Sequence, residues 1–119
     1  MANESILVID DEEIQRETLA DHLKNQGFQV LIADNGKTGI ELLQENLVDL
    51  ILTDFRMPDM TGLQVLQAAR QLNPEIEVVI ITAYGSIDDA VDAMQEGACH
   101  YLEKPIDLEA LDQIIARAL

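Results

Sequence analysis

Four places in the sequence carry residue types that can act together on one group: the pair Asp10-Asp11, then Asp54, Thr82 and Lys104. Each stands at the end of a short, largely apolar run: Ile6-Leu7-Val8-Ile9, Leu50-Ile51-Leu52, Val78-Val79-Ile80-Ile81 and Cys99 to Glu103. Three carboxylates brought within contact distance repel one another, and no stability argument favours collecting them. A hard divalent cation resolves the conflict. Mg²⁺ with carboxylate and water ligands is the expected ion, with Mn²⁺ as the alternative. A carboxylate, a cation, an amine and a hydroxyl together fit the transfer of a phosphoryl group. The chain has no Gly-rich phosphate loop, so a nucleotide is not the obvious donor. The carboxylate can itself be the nucleophile, giving an acyl phosphate. Asp54 alone would read equally well as a strand terminator or a helix cap; the other strand ends supply the chemistry.

That chemistry requires the four ends to meet. The apolar runs are too short for helices and do not alternate with polar residues, as in strands of a parallel sheet covered on both faces. A further strand is expected from Phe28 to Ala33, followed by a turn at Asp34-Asn35-Gly36. Helical spacing separates the strands. Glu12 and Glu13 open the first helix, with Ile14, Leu19, Ala20 and Leu23 inward and Gly27 as its stop. Ile40, Leu43 and Leu47 mark the second. Thr61-Gly62-Leu63-Gln64 has capping-box spacing ahead of a stripe of Leu63, Leu66 and Ala69, which Asn73-Pro74 ends. Ser86 and Asp89 form a capping pair for the fourth helix, in which Ile87, Ala90, Val91 and Met94 recur at helical spacing before Gly97. Met57, Met60 and Met94 are read as packing residues. Asp107 caps the fifth helix, with Leu108, Leu111 and Ile115 inward.

Five strands alternating with five helices imply an α/β fold with helices on both faces of a parallel sheet. Right-handed crossovers put every strand end on one rim. The expected fold is a flavodoxin-like, doubly wound (βα)5 sandwich with strand order 2-1-3-4-5. Strands one and three are then neighbours at the switch point, which gathers Asp10, Asp11 and Asp54. Lys104 must turn into this site within one residue, and a cis Lys104-Pro105 bond makes such a turn.

Composition narrows the partners. A chain of 119 residues suggests one domain, and 48% apolar content suffices for a core. The net charge of −16, from 23 acids and 7 bases, excludes a duplex-binding surface and an anionic membrane surface. Cys99 is the single cysteine and reads as a small core residue. His22 and His100 lack partners at metal-ligand spacing; His100 reads as a surface residue. Met1-Ala2-Asn3-Glu4-Ser5 has no basic stretch of a signal peptide, and no apolar run reaches membrane-spanning length, so a cytoplasmic protein is expected.

Along its whole length the chain resembles a receiver domain of two-component response regulators. The resemblance rests on Ile9-Asp10-Asp11-Glu12, on Asp54-Phe55-Arg56-Met57-Pro58-Asp59-Met60-Thr61-Gly62, on Thr82-Ala83 and on Tyr101-Leu102-Glu103-Lys104-Pro105. It implies that Asp54 is the phosphoacceptor, taking its phosphoryl group from a phosphohistidine on a sensor histidine kinase. It implies that Asp10 and Asp11, with the Arg56 backbone carbonyl, hold Mg²⁺ beside Asp54, that Lys104 contacts the phosphoryl oxygens, and that Thr82 and Tyr101 form a switch pair. The wording Thr53 to Met60 and Ile81 to Ser86 is similar to receivers of the nitrogen-regulation type, which precede a sigma-54-activating ATPase and a DNA-binding domain. The chain is accordingly expected to be the N-terminal part, residues 1–119, of a longer regulator, catalysing only its own phosphorylation and dephosphorylation. Output is expected through a homodimer or effector contact on the fourth helix, fifth strand and fifth helix, a surface taken to include Ala93, His100 and Ala110. The rival readings are a Mg²⁺-dependent phosphohydrolase with an Asp nucleophile and a receiver that binds partners without phosphorylation. The first wants a second Asp two residues after the nucleophile, where this chain has Arg56.

Overall fold

The computed structural model of the chain describes residues 4–83 and 87–119. Five strands, β1 (Ser5–Ile9), β2 (Gln29–Ala33), β3 (Leu50–Asp54), β4 (Glu77–Thr82) and β5 (His100–Glu103), alternate with five helices. These are α1 (Glu13–Asn25), α2 (Gly36–Glu45), α3 (Gly62–Leu72), α4 (Ile87–Gln95) and α5 (Leu108–Ala118). All strand pairs are parallel and the order is β2-β1-β3-β4-β5, as expected from the sequence.

The lack of alternation in the central strands has a direct cause. Side chains point to opposite faces in turn, and both faces are covered. Leu7, Ile9, Ile51, Val78 and Ile80 pack with Val65, Leu66 and Ala69 of α3 and with Ala93 of α4. The intervening Ile6, Val8, Leu50, Leu52, Val79 and Ile81 pack with Leu19 and Leu23 of α1 and Leu111 and Ile115 of α5. Every residue of β3 is buried.

Helix ends follow the sequence signals. Asn35 accepts from the Thr38 amide, Thr61 and Gln64 form the reciprocal capping box, and Asp107 accepts from the amides of Glu109 and Ala110. Gly27 and Gly97, just past α1 and α4, take φ of +99°, a region costly for any side chain. The expected cap at Ser86 lies outside the described residues.

Several apolar residues depart from the sequence reading. Ile14 is 82% exposed. It sits about 140° around α1 from Leu19, off the buried face. Leu47 is 93% exposed, because α2 ends at Glu45 and Leu47 falls in the connection beyond it. On α4 the helically spaced Ile87, Val91 and Met94 face outward, Ile87 being 83% exposed, and of these Met94, expected as a packing residue, departs from the expectation. The buried residue of α4 is Ala93, on another side of the helix, so it cannot belong to a contact surface. Among the described residues no helix is long and apolar enough to cross a membrane.

Candidate functional site

The strand ends deliver the acidic residues together. The Asp10 amide bonds the Ala33 carbonyl, extending the β1–β2 ladder one residue beyond Ile9 and fixing where Asp10 begins to turn away. Asp54 ends β3, and the Phe55 amide bonds Ile81 of β4 at 2.8 Å. Carboxylate oxygens of Asp10, Asp11 and Asp54 lie within 4.8 Å of one another. Asp10 and Asp54 are buried, whereas Asp11 is exposed.

Lys104 reaches the cluster from the end of β5. Its amide bonds the Thr82 carbonyl at 2.8 Å, and the following Lys104–Pro105 peptide is cis. Its Nζ lies 3.4 Å from Asp10 Oδ2, 3.4 Å from Asp54 Oδ2 and 3.2 Å from Glu12 Oε1. Lys104, Asp54, Glu12 and Asp11, with the buried Thr82 and the loop at Arg56, line a cleft of ≈ 220 Å³ open at the rim. A larger cleft of ≈ 600 Å³, between Ser5, Gln29, Glu45 and Asp49, lies at the opposite end of the sheet and gathers no comparable set of groups.

The electrostatics record the conflict. Burial pushes the Asp54 carboxyl above its ordinary pKa, opposed by the Lys104 charge and reinforced by Asp10. Burial also raises Asp10, against the Glu12 amide and Lys104. Burial works against the Lys104 charge, but Asp10 and Asp54 outweigh it and its pKa is raised. One ammonium is therefore shared among three carboxylates, with Asp11 besides. This donor set of closely spaced, partly desolvated oxygens suits a hard divalent cation.

The loop after Asp54 is held from both ends. The Gly62 amide bonds the Phe55 carbonyl at 2.7 Å, and Arg56 pairs with Thr61 in an isolated bridge. A Cβ on Gly62 would stand 2.8 Å from the Asp54 carbonyl oxygen, so only glycine lets α3 start this close. Asp59 had no role in the sequence reading. Its carboxylate accepts from the amides of Gly36 and Lys37 at 3.0 and 2.8 Å, at the positive end of α2. Burial opposes its charge, but these bonds prevail and hold Asp59 below the usual carboxylate range. No sequence signal marks this contact, since its partners lie over twenty positions upstream. Glu12, expected to open the first helix, makes a second contact. It occupies the N-cap position of α1, makes no side-chain capping bond, and turns its carboxylate to Lys104. His22, read as incidental, bonds Asp112 at 2.7 Å and ties α1 to α5. Tyr101 packs edge-on against Phe55, with centroids 6.1 Å apart, on the same face of the sheet as Ile80.

A parallel sheet with an acidic trio and a lysine at its switch point defines a class of phosphoryl-handling regulatory domains. The chain belongs to the response regulator receiver domain family, whose model matches residues 6–116. It is 39% identical over 117 residues to the transcriptional regulatory protein ZraR of Escherichia coli K12, covering 98% of this chain and 26% of that protein. It is 41% identical to the response regulator protein PilR of Pseudomonas aeruginosa, over 100% of this chain and 27% of that protein. The chain thus spans about a quarter of the length of these relatives. Among solved structures, a Clostridium thermocellum response regulator receiver domain superposes with a TM-score of 0.91 at 35% identity, covering 97% of this chain and 93% of that one. The beryllofluoride-activated NtrC4 receiver domain dimer matches with a TM-score of 0.91 at 32% identity, covering 96% and 94%. The chain is a receiver of the two-component type, in a regulatory family whose general role is phosphotransfer, and its relatives are transcriptional regulators.

Proposed function

We propose that Asp54 is the phosphoacceptor of this receiver and that phosphorylation switches a contact surface controlling a downstream output, transcription in a longer regulator of the sigma-54-activating kind. The observation that carries the reading is Asp54 itself: a buried carboxylate at the end of β3, 3.4 Å from the Lys104 ammonium and within 4.8 Å of Asp10 and Asp11. Asp10, Asp11 and Asp54, with the Arg56 backbone carbonyl, would hold Mg²⁺, or Mn²⁺ in its place. Such an ion supplies positive charge to the carboxylates and to the transferring oxygens.

In the transfer, an Asp54 carboxylate oxygen attacks the phosphorus of a phosphohistidine on a sensor histidine kinase. The P–N bond breaks, its electron pair leaves with the imidazole, and an acyl phosphate remains on Asp54. Lys104 offers its ammonium to the phosphoryl oxygens. In dephosphorylation water attacks phosphorus, the P–O bond to Asp54 breaks, inorganic phosphate leaves and the carboxylate is restored; the domain catalyses only its own phosphorylation and dephosphorylation. The Thr82 hydroxyl, in the same cleft, is drawn toward the new oxygens, and Tyr101 on β5 follows. The α4–β5–α5 surface, with His100 and the outward stripe of α4, then changes its affinity for a second copy or an effector domain. The domain works in the cytoplasm, where such kinases present their phosphohistidine. The phosphohydrolase alternative loses on Arg56, which occupies the position of its second acid.

Acetyl phosphate with Mg²⁺ should add one phosphoryl group, visible as a single adduct by intact-mass spectrometry, and Asp54→Asn should abolish it. Undiminished labelling of the variant would refute the assignment.

A further inference from the structure

Lys104 has three carboxylate partners, and they are not equivalent. Asp10 and Asp54 belong to the trio able to hold a cation, whereas Glu12 does not. A cation held by Asp10, Asp11 and Asp54 would neutralise the first two partners and weaken their pull on Lys104. The pull of Glu12 would remain. Its backbone is tied to the same place, because the Glu12 amide donates to Asp10 Oδ1 at 2.9 Å. Its side chain makes no capping bond to α1 and lines the mouth of the cleft. We propose that Glu12 is a positioning residue that holds the Lys104 ammonium at the mouth of the cation-loaded, unphosphorylated site and competes with the incoming phosphoryl group for it.

The inference rests on the phosphoacceptor reading above and adds a competitor to it. Exchange of one anionic partner for another is built into the site. Lys104 leaves Glu12 for the phosphoryl oxygens on modification and returns on hydrolysis. Glu12 therefore weakens the binding of a phosphoryl mimic without taking part in bond making. Because Glu12 is exposed, its ion pair is worth little, and its removal is expected to tighten binding by roughly two- to fivefold.

The test compares the parent chain with Glu12→Gln and Glu13→Gln. Glu13 is exposed, also lies in the first turn of α1 and carries the same charge, but is not a partner of Lys104 among the described residues. Beryllofluoride affinity at saturating Mg²⁺ is read by ¹⁹F NMR, since the chain has no Trp to report by fluorescence. The ammonium ¹⁵N signal of Lys104 is read in the Mg²⁺-loaded protein without beryllofluoride. The expected result is tighter beryllofluoride binding and a displaced Lys104 signal in Glu12→Gln, with the parent's signal kept in Glu13→Gln. Equal gains in the two variants would reduce the effect to general charge and overturn the proposal. So would a Lys104 signal in Glu12→Gln identical to the parent's. A parent that binds no beryllofluoride would sink the phosphoacceptor reading and this inference with it, whereas parent binding unaltered in Glu12→Gln removes this inference alone.

Discussion

Two regions of this molecule hold residues where folding alone would not put them. At the rim, Asp10, Asp11 and Asp54 crowd together, two of them buried. On α4, Ile87, Val91 and Met94 stand in water while Ala93 alone of that helix is buried. The rim concentrates charge that burial penalises. The α4 stripe leaves apolar area that burial would reward. The rim is partly compensated from within by Lys104, whereas the α4 stripe is exposed among the described residues. One region asks for a small, hard, charged ligand, and the other for an apolar surface. A switch of the proposed kind needs both, since the first receives the signal and the second gives it out.

The sharpest way to break this contrast is to truncate apolar residues on the two sides of it. Leu66 of α3 is fully buried against the sheet. Leu66→Ala should cost roughly 2–5 kcal/mol, a large share of the 5–15 kcal/mol typical of a domain. Met94→Ala should stay within about 0.5 kcal/mol, as for other exposed positions. Urea denaturation measures both. A Met94→Ala loss in the range of a core truncation would mean that α4 packs its stripe inward after all.

The rim is tested by its response to cations and protons. Mg²⁺ bound only by the folded site should stabilise the chain by roughly 2.7 kcal/mol at 100-fold over its dissociation constant, and Asp11→Asn should blunt the gain. Stability indifferent to Mg²⁺ would remove the metal from the account. The proton dependence has a definite sign. Asp10 and Asp54 have raised pKa values in the folded chain. Between the unfolded value near 4 and those raised values the native state binds more protons, so metal-free stability falls as pH rises. Asp59, held low, works the other way: its contribution is present above roughly pH 4 and is lost as pH falls through its depressed value. Denaturation in EDTA should therefore show Asp54→Asn losing less stability than the parent as pH rises above the ordinary carboxylate value of about 4. Parallel curves for the two proteins would contradict it.

The two regions also differ in how well the sequence announced them. The rim was legible because each of its residues closes a strand, and parallel connectivity puts all strand ends on one side. The capping box at Thr61 and the stops at Gly27 and Gly97 were legible because each is fixed by neighbours in sequence, and the strand order followed from the fold class that the alternation of strands and helices implies. The α4 stripe was legible as helical but not as outward, because periodicity marks that a face exists and says nothing of what covers it. Leu47 shows the same limit at a boundary, where an apolar residue continued a pattern that the helix did not. Asp59 on the α2 amides and His22 on Asp112 were hidden for a different reason. Each joins segments distant in sequence through a bond whose partners carry no mark of it.

A further, modest effect joins the two regions. Thr82 ends β4 in the cleft it shares with Asp54 and is buried. On β4 and β5 its position and that of Tyr101 alternate onto the same face of the sheet, with Ile80 opposite Tyr101 and Thr82 opposite Glu103 in register. Tyr101 in turn touches Phe55, the residue after the proposed acceptor. A phosphoryl group on Asp54 adds negative charge and acceptor oxygens, and a hydroxyl drawn toward them leaves room that the Tyr101 ring can take. In the proposed switch, that movement of the ring would alter β5, next to α4. A ligand shifts such an equilibrium only by its differential affinity for the two states, and couplings of this kind run from about 1 kcal/mol, or roughly fivefold in association. Thr82→Ala should therefore still accept beryllofluoride at Asp54 but lose that fivefold change. Val91→Ser should accept it too and lose association through the surface rather than through the relay. Sedimentation of the parent and both variants, each with and without beryllofluoride, separates the two. If Thr82→Ala associates as fully as the parent on beryllofluoride binding, the link from rim to α4 runs by another route.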